Sequence, residues 1–364
     1  MLTLAMQAHH GSTEDRPLIV IWEVTRSCML ACRHCRAEAQ PRPDPAELNR
    51  DQWEDLLDQV AEIQPKFFII TGGDPASRPD ILEIIAGATA RGLRVGFSPS
   101  ATPRLLKLDF DQLLRAGAQR MSLSLDGATP ATHNAFRGTR NTWDWTMQAF
   151  TAARRAGIQV QINTSFSRSN LAEWPDFLKL IQFLRPVLWN AFIHVPTGRG
   201  SLDEMLTPEE TEDLFQRLSQ VPAATGIPVK TTEGPHFRRV ALQNQAQLHE
   251  NGLPWRFAPT NDGRGCVFIS HTGDVQPSGF LPLVCGNVKE EHLLDIYRQA
   301  PVFRDLRNPD LLQGKCGFCE YRNVCGGSRA RAYAVTGDYL AQEPTCPYQP
   351  ARTANAAAEP ALQP

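Results

Sequence analysis

Nine cysteines carry most of the chemistry this chain can do. Cys28, Cys32 and Cys35 form a C-x3-C-x2-C run. Three thiolates this close together fit one face of a 4Fe–4S cubane and leave the fourth iron without a protein ligand. An iron in that state is free to chelate a small molecule. A zinc site usually wants a fourth ligand, and the adjacent His34 lies inside the loop itself. Cys316, Cys319, Cys325 and Cys346 follow C-x2-C-x5-C-x20-C and would close a second centre completely. Zinc held by four thiolates competes for that quartet, because C-x2-C opens both kinds of site. Cys266 and Cys285 remain. Two thiolates hold no cubane alone, so this pair is either part of a shared second auxiliary cluster or two buried thiols.

Other segments place polar groups where a cofactor would need them. In Thr71-Gly72-Gly73-Asp74-Pro75, two glycines let backbone amides and carbonyls approach a ligand closely. Strand alternation puts Ser122, Ser124 and Asp126 on one face, toward an interior, and polar side chains there suit a ribose or a carboxylate. Asn163 has the same character at the end of a later strand. Arg137, in Phe136-Arg137-Gly138, could pair with a carboxylate or stand solvated. His194 is the histidine to retain as a substrate contact. The remaining histidines, and the tryptophans including Trp255, read as packing or surface.

The elements that must position these residues alternate. LIVIWEV (18–24), FFII (67–70), LRVGF (93–97), MSLSL (121–125), IQVQIN (158–163) and LWNAFIHV (188–195) read as strands. Amphipathic segments near 51–63, 79–91, 109–116, 142–156, 173–184 and 207–221 read as helices between them. Six strand-then-helix units imply parallel strands with right-handed crossovers. The fold class is therefore α/β: a partial (β/α)6 barrel over 17–235, with its reactive groups at the C-terminal ends of the strands. From 236 to 349 the alternation stops and six of the nine cysteines gather, which implies a small cysteine-rich domain held together by metal. Residues 1–16 read as a flexible N-terminus and 350–364, rich in Ala and Pro, as a disordered tail.

Composition excludes several classes. A net charge of −2 on 364 residues gives no basic footprint for nucleic acid. No apolar run is long enough for a membrane span, and the N-terminus has no secretory pattern. A cytoplasmic protein follows, and there the thiols serve metal or redox chemistry rather than disulfides.

The Cys28–Cys35 run after a first strand resembles the signature of the radical S-adenosylmethionine (SAM) superfamily, with His34 in the aromatic slot. The resemblance implies that SAM chelates the open iron and is reductively cleaved to a 5′-deoxyadenosyl radical, which takes a hydrogen atom from the substrate. Gly72, Gly73 and Asp74 match the family's Gly-Gly-Glu-Pro segment, which binds the SAM amino group, with Asp74 one methylene shorter. Ser122, Ser124, Asp126, Asn163 and Arg137 are cofactor-binding candidates on the same footing. The quartet resembles the outer auxiliary 4Fe–4S site of the SPASM domain. The chain departs from the full SPASM pattern at Ser278 and after Cys325, where cysteines are expected. Val195-Pro-Thr-Gly-Arg-Gly200 and the segments around Cys285 and Cys319–Tyr333 look like the branch of haem-forming decarboxylases of the alternative haem pathway. That branch implies an iron porphyrin substrate, oxidative decarboxylation of its propionates, and reduced ferredoxin or flavodoxin as electron donor. Arg199, Arg329 and Arg331 fall in these segments, and arginine suits carboxylate recognition; a GC-rich genome is the plainer source of so many arginines. The alternatives are a SPASM-type maturase of a ribosomal peptide or other cofactor and, in a different class, a non-catalytic iron–sulfur electron carrier. With 16 residues before the first strand, no N-terminal peptide-binding module is expected.

Overall fold

The structure is a computed structural model and describes residues 13–247 and 260–351. Residues 1–12 and 352–364, which hold most of the expected flexible N-terminus and tail, lie outside the described residues, as does Trp255. Thr13 and Asp15 are held by their carbonyls, from Tyr297 Oη and Arg298 Nε.

Seven parallel strands run in sequence order: β1 (Ile19–Glu23), β2 (Phe67–Thr71), β3 (Val95–Phe97), β4 (Arg120–Ser124), β5 (Gln159–Phe166), β6 (Leu188–Ile193) and β7 (Val229–Thr232). The six expected strand–helix units are present. β7 is an addition, too short and polar (Val-Lys-Thr-Thr) to show a strand pattern in the sequence. The helices are α1 (Arg50–Ile63), α2 (Ile81–Ala90), α3 (Pro103–Lys107), α4 (Phe110–Ala116), α5 (Pro130–Arg137), α6 (Thr142–Arg155), α7 (Trp174–Leu184), α8 (Pro208–Thr225) and α9 (Phe237–Gln247).

Local chemistry explains their boundaries. Asn49 caps α1 in a capping box with Gln52, and Trp53, Leu56, Leu57, Val60 and Ile63 recur on one buried face. Thr207 and Glu210 make the same box on α8, with Pro208 in its first turn and left-handed Gly226 closing it. β2 and β4 alternate strictly. Phe68, Ile70, Met121 and Leu123 are fully buried against the helices, while the residues between them face the concave side. Each such buried apolar side chain contributes about 1.5–3 kcal/mol.

The cysteine-rich region is built onto the same sheet. β8 (Cys266–Ile269) pairs parallel with β1, and β9 (Asp274–Gln276) and β10 (Gly286–Asn287) follow as antiparallel strands, giving the order β10-β9-β8-β1-β2-β3-β4-β5-β6-β7. Four short helices complete it: α10 (Leu293–Gln299), α11 (Pro301–Arg307), α12 (Gly314–Gly317) and α13 (Arg329–Thr336). Among the described residues no helix is long and apolar enough to cross a membrane.

Candidate functional site

The loop after β1 carries Cys28, Cys32 and Cys35 over the C-terminal mouth of the barrel. It is closed on itself: Cys28 N donates to Gln40 O at 2.7 Å and Gln40 N to Arg26 O at 3.0 Å. Cys28 and Cys32 are buried and Cys35 half-buried, and none of the nine cysteines forms a disulfide. Every sulfur of the triplet accepts a hydrogen bond. Leu30 N donates to Cys28 Sγ at 3.4 Å, Ala39 N to Cys35 Sγ at 3.5 Å and Arg137 Nη1 to Cys32 Sγ at 3.6 Å. Such donors stabilise sulfur that carries negative charge, as cluster ligands do. Without a metal, burial pushes the Cys28 thiol up to about 11, so coordination has to supply what deprotonates it.

Two glycine turns grip this loop from other elements. Gly138, at the end of α5, has φ +68, and a Cβ there would sit 2.6 Å from Ala31 O. Gly198, after β6, has φ +58, and its Cβ would sit 2.5 Å from Arg36 O. Only glycine allows both the backbone angle and the approach. Beside them, Arg33 N donates to Phe136 O at 3.3 Å and Arg199 N to Cys35 O at 3.0 Å. His34 packs on the Phe136 ring at 4.4 Å; burial, then Arg137, hold its pKa well below the ordinary value, so it is neutral.

The structure brings Gly72, Gly73 and Asp74 to this loop. Gly73 N donates to Thr25 O at 2.7 Å and Asp74 N to Ser27 O at 2.8 Å. The Asp74 carboxylate is turned inward: Ala76 N donates to Oδ1 at 3.2 Å and Thr102 Oγ1 to Oδ2 at 2.7 Å. Burial raises its pKa to about 6. Ser100, which sequence reading did not single out, donates to Gly73 O at 2.8 Å and lies 3.8 Å from Cys28 Sγ. A serine in an irregular loop gives no local signal of such a position.

Asp126 and Arg137 meet. Arg137 Nε lies 2.9 Å from Asp126 Oδ2, and Ser165 N donates to Oδ1 at 2.7 Å. The chain Asp126–Arg137–Cys32 thus ends at the cysteine loop. Ser122, Ser124 and Asn163 face the barrel interior, where Asn163 Oδ1 accepts from Gln161 Nε2 at 2.7 Å. His194 is buried, with Nε2 on Ser201 O at 2.9 Å, so its ring is spent locally. The arginines of the family-like segments are spent on main-chain carbonyls. Arg199 reaches Cys32 O and Ala39 O; Arg329 reaches Gly327 O, Tyr339 O and Ala341 O.

Cys316, Cys319, Cys325 and Cys346 surround one cavity of about 390 Å³, its mouth included, which Arg239, Lys315 and Arg322 also line. Glu343 N donates to Cys316 Sγ at 3.3 Å and Gly327 N to Cys325 Sγ at 3.4 Å. Burial pushes the Cys325 thiol up to about 12 and Cys346 up to about 11. A zinc ion holds its sulfurs at about 2.3 Å and draws all four to one point. The four sulfurs line this cavity together, the donor set that either a zinc ion or a 4Fe–4S cluster takes. Cys266 begins β8 and Cys285 immediately precedes β10, with β9 between those two strands. Cys266 faces the barrel interior, near Asp262, Glu233 and Lys230.

Comparison with known proteins agrees with this geometry. The model of the radical SAM superfamily matches residues 22–181. AdoMet-dependent heme synthase of Nitratidesulfovibrio vulgaris is 41% identical over 343 residues, 92% of this chain and 93% of that protein. Pre-heme d1 synthase of Dinoroseobacter shibae is 27% identical over 93% of this chain and 88% of its own. The fold is shared with the solved structure of Streptococcus suis SuiB bound to S-adenosylmethionine, at a TM-score of 0.71 and 16% identity, covering 92% of this chain and 78% of that one.

Proposed function

The chain belongs to the radical SAM superfamily, in the branch that resembles the haem-forming decarboxylases, and from that premise we propose that it decarboxylates the propionates of an iron porphyrin. It is an enzyme that uses a 4Fe–4S cluster and SAM. The observation that carries the porphyrin reading is likeness to AdoMet-dependent heme synthase over nearly the full length of both chains. The electron-carrier alternative gives no use to a triplet that leaves one iron open.

In this reading Cys28, Cys32 and Cys35 hold the SAM-cleaving cluster, and Cys316, Cys319, Cys325 and Cys346 hold an auxiliary one. When bound, the first supplies the electron that cleaves SAM, and the second a sink for the electron the substrate releases. The protein's own residues position and exclude water. Arg137 steadies Cys32 and is itself held by Asp126. Gly72 and Gly73 offer backbone to the SAM amino group. Asp74 sets that turn from within, since both its oxygens are engaged. Ser122, Ser124 and Asn163 present polar groups to the barrel interior. At the substrate, a propionate β-carbon loses a hydrogen atom, the carboxylate leaves as carbon dioxide with release of one electron, and a vinyl group remains. Reduced ferredoxin or flavodoxin is the donor, in the cytoplasm.

The test is an anaerobic assay of the reconstituted protein with dithionite and SAM, with and without iron coproporphyrin, followed by mass spectrometry. Deoxyadenosine that rises with porphyrin, together with a product lighter by formic acid per propionate, is expected. Deoxyadenosine indifferent to porphyrin would overturn the substrate and turn the search to peptides.

A further inference from the structure

The cavity bounded by the cysteine quartet has a wall that comes from the barrel. After β7 the chain turns into α9, and His236 stands at that junction, its carbonyl accepting from Arg239 N at 3.1 Å. The helix start thus fixes the backbone of His236. Its side chain lines the cavity together with Cys316, Cys319, Cys325 and Cys346. The residue is 1% exposed, and its ring lies 4.6 Å from that of Phe215, edge to face.

Among the described residues, neither ring nitrogen of His236 has a hydrogen-bond partner, and both are buried. Whatever its protonation, an imidazole carries at least one N–H. A buried donor left unpaired costs about 1–3 kcal/mol. Packing alone does not offset that, because leucine or phenylalanine would fill the space beside Phe215 without the cost. Glu343 does not take the proton. Its Oε2 lies 3.9 Å from Nδ1, beyond hydrogen-bond reach, and its oxygens already accept from Arg331, Ser328 N and Thr345. The cations around the cavity are engaged elsewhere. Arg239 donates to Glu212 and Gln243, Lys315 to Cys346 O, and Arg322 to Gly317 O and Asp310. Arg239 Nε is unpaired as well, but on a guanidinium already fixed at its far end. A buried imidazole with no partner calls for an acceptor inside the cavity.

We propose that His236 donates its ring N–H to a sulfur of the auxiliary 4Fe–4S cluster and raises the reduction potential of that cluster. This rests on reading the quartet as an iron–sulfur site, and it adds a residue outside the cysteine motif that sets the electron affinity of the centre. The sulfurs of a cubane carry negative charge, which grows when one electron is added. A donor therefore stabilises the reduced form more than the oxidised one. Glu343 N and Gly327 N already donate to Cys316 Sγ and Cys325 Sγ from the cysteine-rich region. His236 adds a side-chain donor, delivered by the barrel. A stronger acceptor at this position suits the electron that the substrate releases.

The experiment is a potentiometric titration of the reconstituted holoenzyme followed by electron paramagnetic resonance. It is run with and without SAM, which alters the signal of the cluster it chelates and so marks the other as auxiliary. His236→Leu is expected to lower the equilibrium constant for reducing the auxiliary cluster about tenfold, or ~59 mV for one electron. His236→Gln keeps an N–H donor and should hold the wild-type potential. The first cluster should titrate alike in all three proteins. A second reading is made on the wild type itself, so it stands even where His236→Leu fails to hold its cluster. With isotopically labelled histidine, pulsed resonance on the reduced auxiliary signal should show a weak coupling to a histidine nitrogen. An auxiliary potential unchanged in His236→Leu, or no such coupling in the wild type, overturns the proposal and leaves the cluster reading intact. A wild-type quartet that holds zinc and no labile sulfide removes the cluster reading, and the proposal with it.

Discussion

Arg137 joins two demands at one buried position: it neutralises Asp126 and it donates to Cys32 Sγ. Lysine keeps the charge but not the fork that reaches both partners. Arg137→Lys is therefore expected to retain cluster iron yet slow deoxyadenosine formation about tenfold to a hundredfold, the usual cost of losing a group that orients a metal ligand. Asp74 permits a prediction with a definite sign. Its carboxyl titrates at about 6 in the folded protein because burial disfavours the charge, against 3.8 without the fold. The native state thus binds the proton more tightly, and stability is lost as pH rises from about 4 to about 6, by about 3 kcal/mol in all. Asp74→Asn removes this loss. Its melting temperature relative to wild type should climb from pH 5 to 6.5 and then level off; a flat difference would show that the buried charge costs nothing. Cysteine type and spacing made the centres legible at this scale, because ligand chemistry is carried in the residues themselves. Ser100 was not legible, because its position beside Cys28 is made by the strand order.

The cysteine loop has almost no regular structure, and neighbouring elements give it its shape. α5 delivers Gly138 and Arg137, and the turn after β6 delivers Gly198 and Arg199. Alanine at either glycine meets both an unfavourable φ and a backbone oxygen closer than any real Cβ contact, a local cost of about 1–3 kcal/mol. Gly138→Ala and Gly198→Ala are expected to lose the spectroscopic signal of the first cluster while the auxiliary signal stays. Equal loss of both signals would show that the turns stabilise the whole chain and not the loop. Six strands and their helices followed from apolar periodicity; the caps that fix the helix starts, such as Asn49 and Thr207, came with the structure. β7 escaped, since Lys230 and Thr232 face the barrel interior and leave only Val229 in the core.

Across the whole molecule, one buried arginine ties the barrel to the cysteine quartet. Arg331 donates to Ile193 O and His194 O at 3.1 Å each, to Glu233 O at 2.5 Å, and to both oxygens of Glu343 at 3.0 Å. Glu343 N then donates to Cys316 Sγ. Burial opposes the Glu343 charge, and Arg331 overcomes it, holding the carboxyl at about 2. Arg331→Met leaves that carboxylate uncompensated in the interior. We expect a loss of about 3–5 kcal/mol, read as a lower melting temperature with iron released from the quartet; a melt within a degree of wild type would show the pair to be dispensable. The amino-acid sequence alone determined the cofactor chemistry, the strand–helix alternation and the family, because donor type, spacing and short-range periodicity are written in neighbouring residues. Only the tertiary structure decided which polar residues are spent and which are free. Arg331 and Lys230 look alike in a sequence. The fold seals the first among carbonyls and Glu343, and it leaves the second exposed on β7 with no carboxylate partner among the described residues, because partners that lie far along the chain are brought together only when strands curl into a barrel.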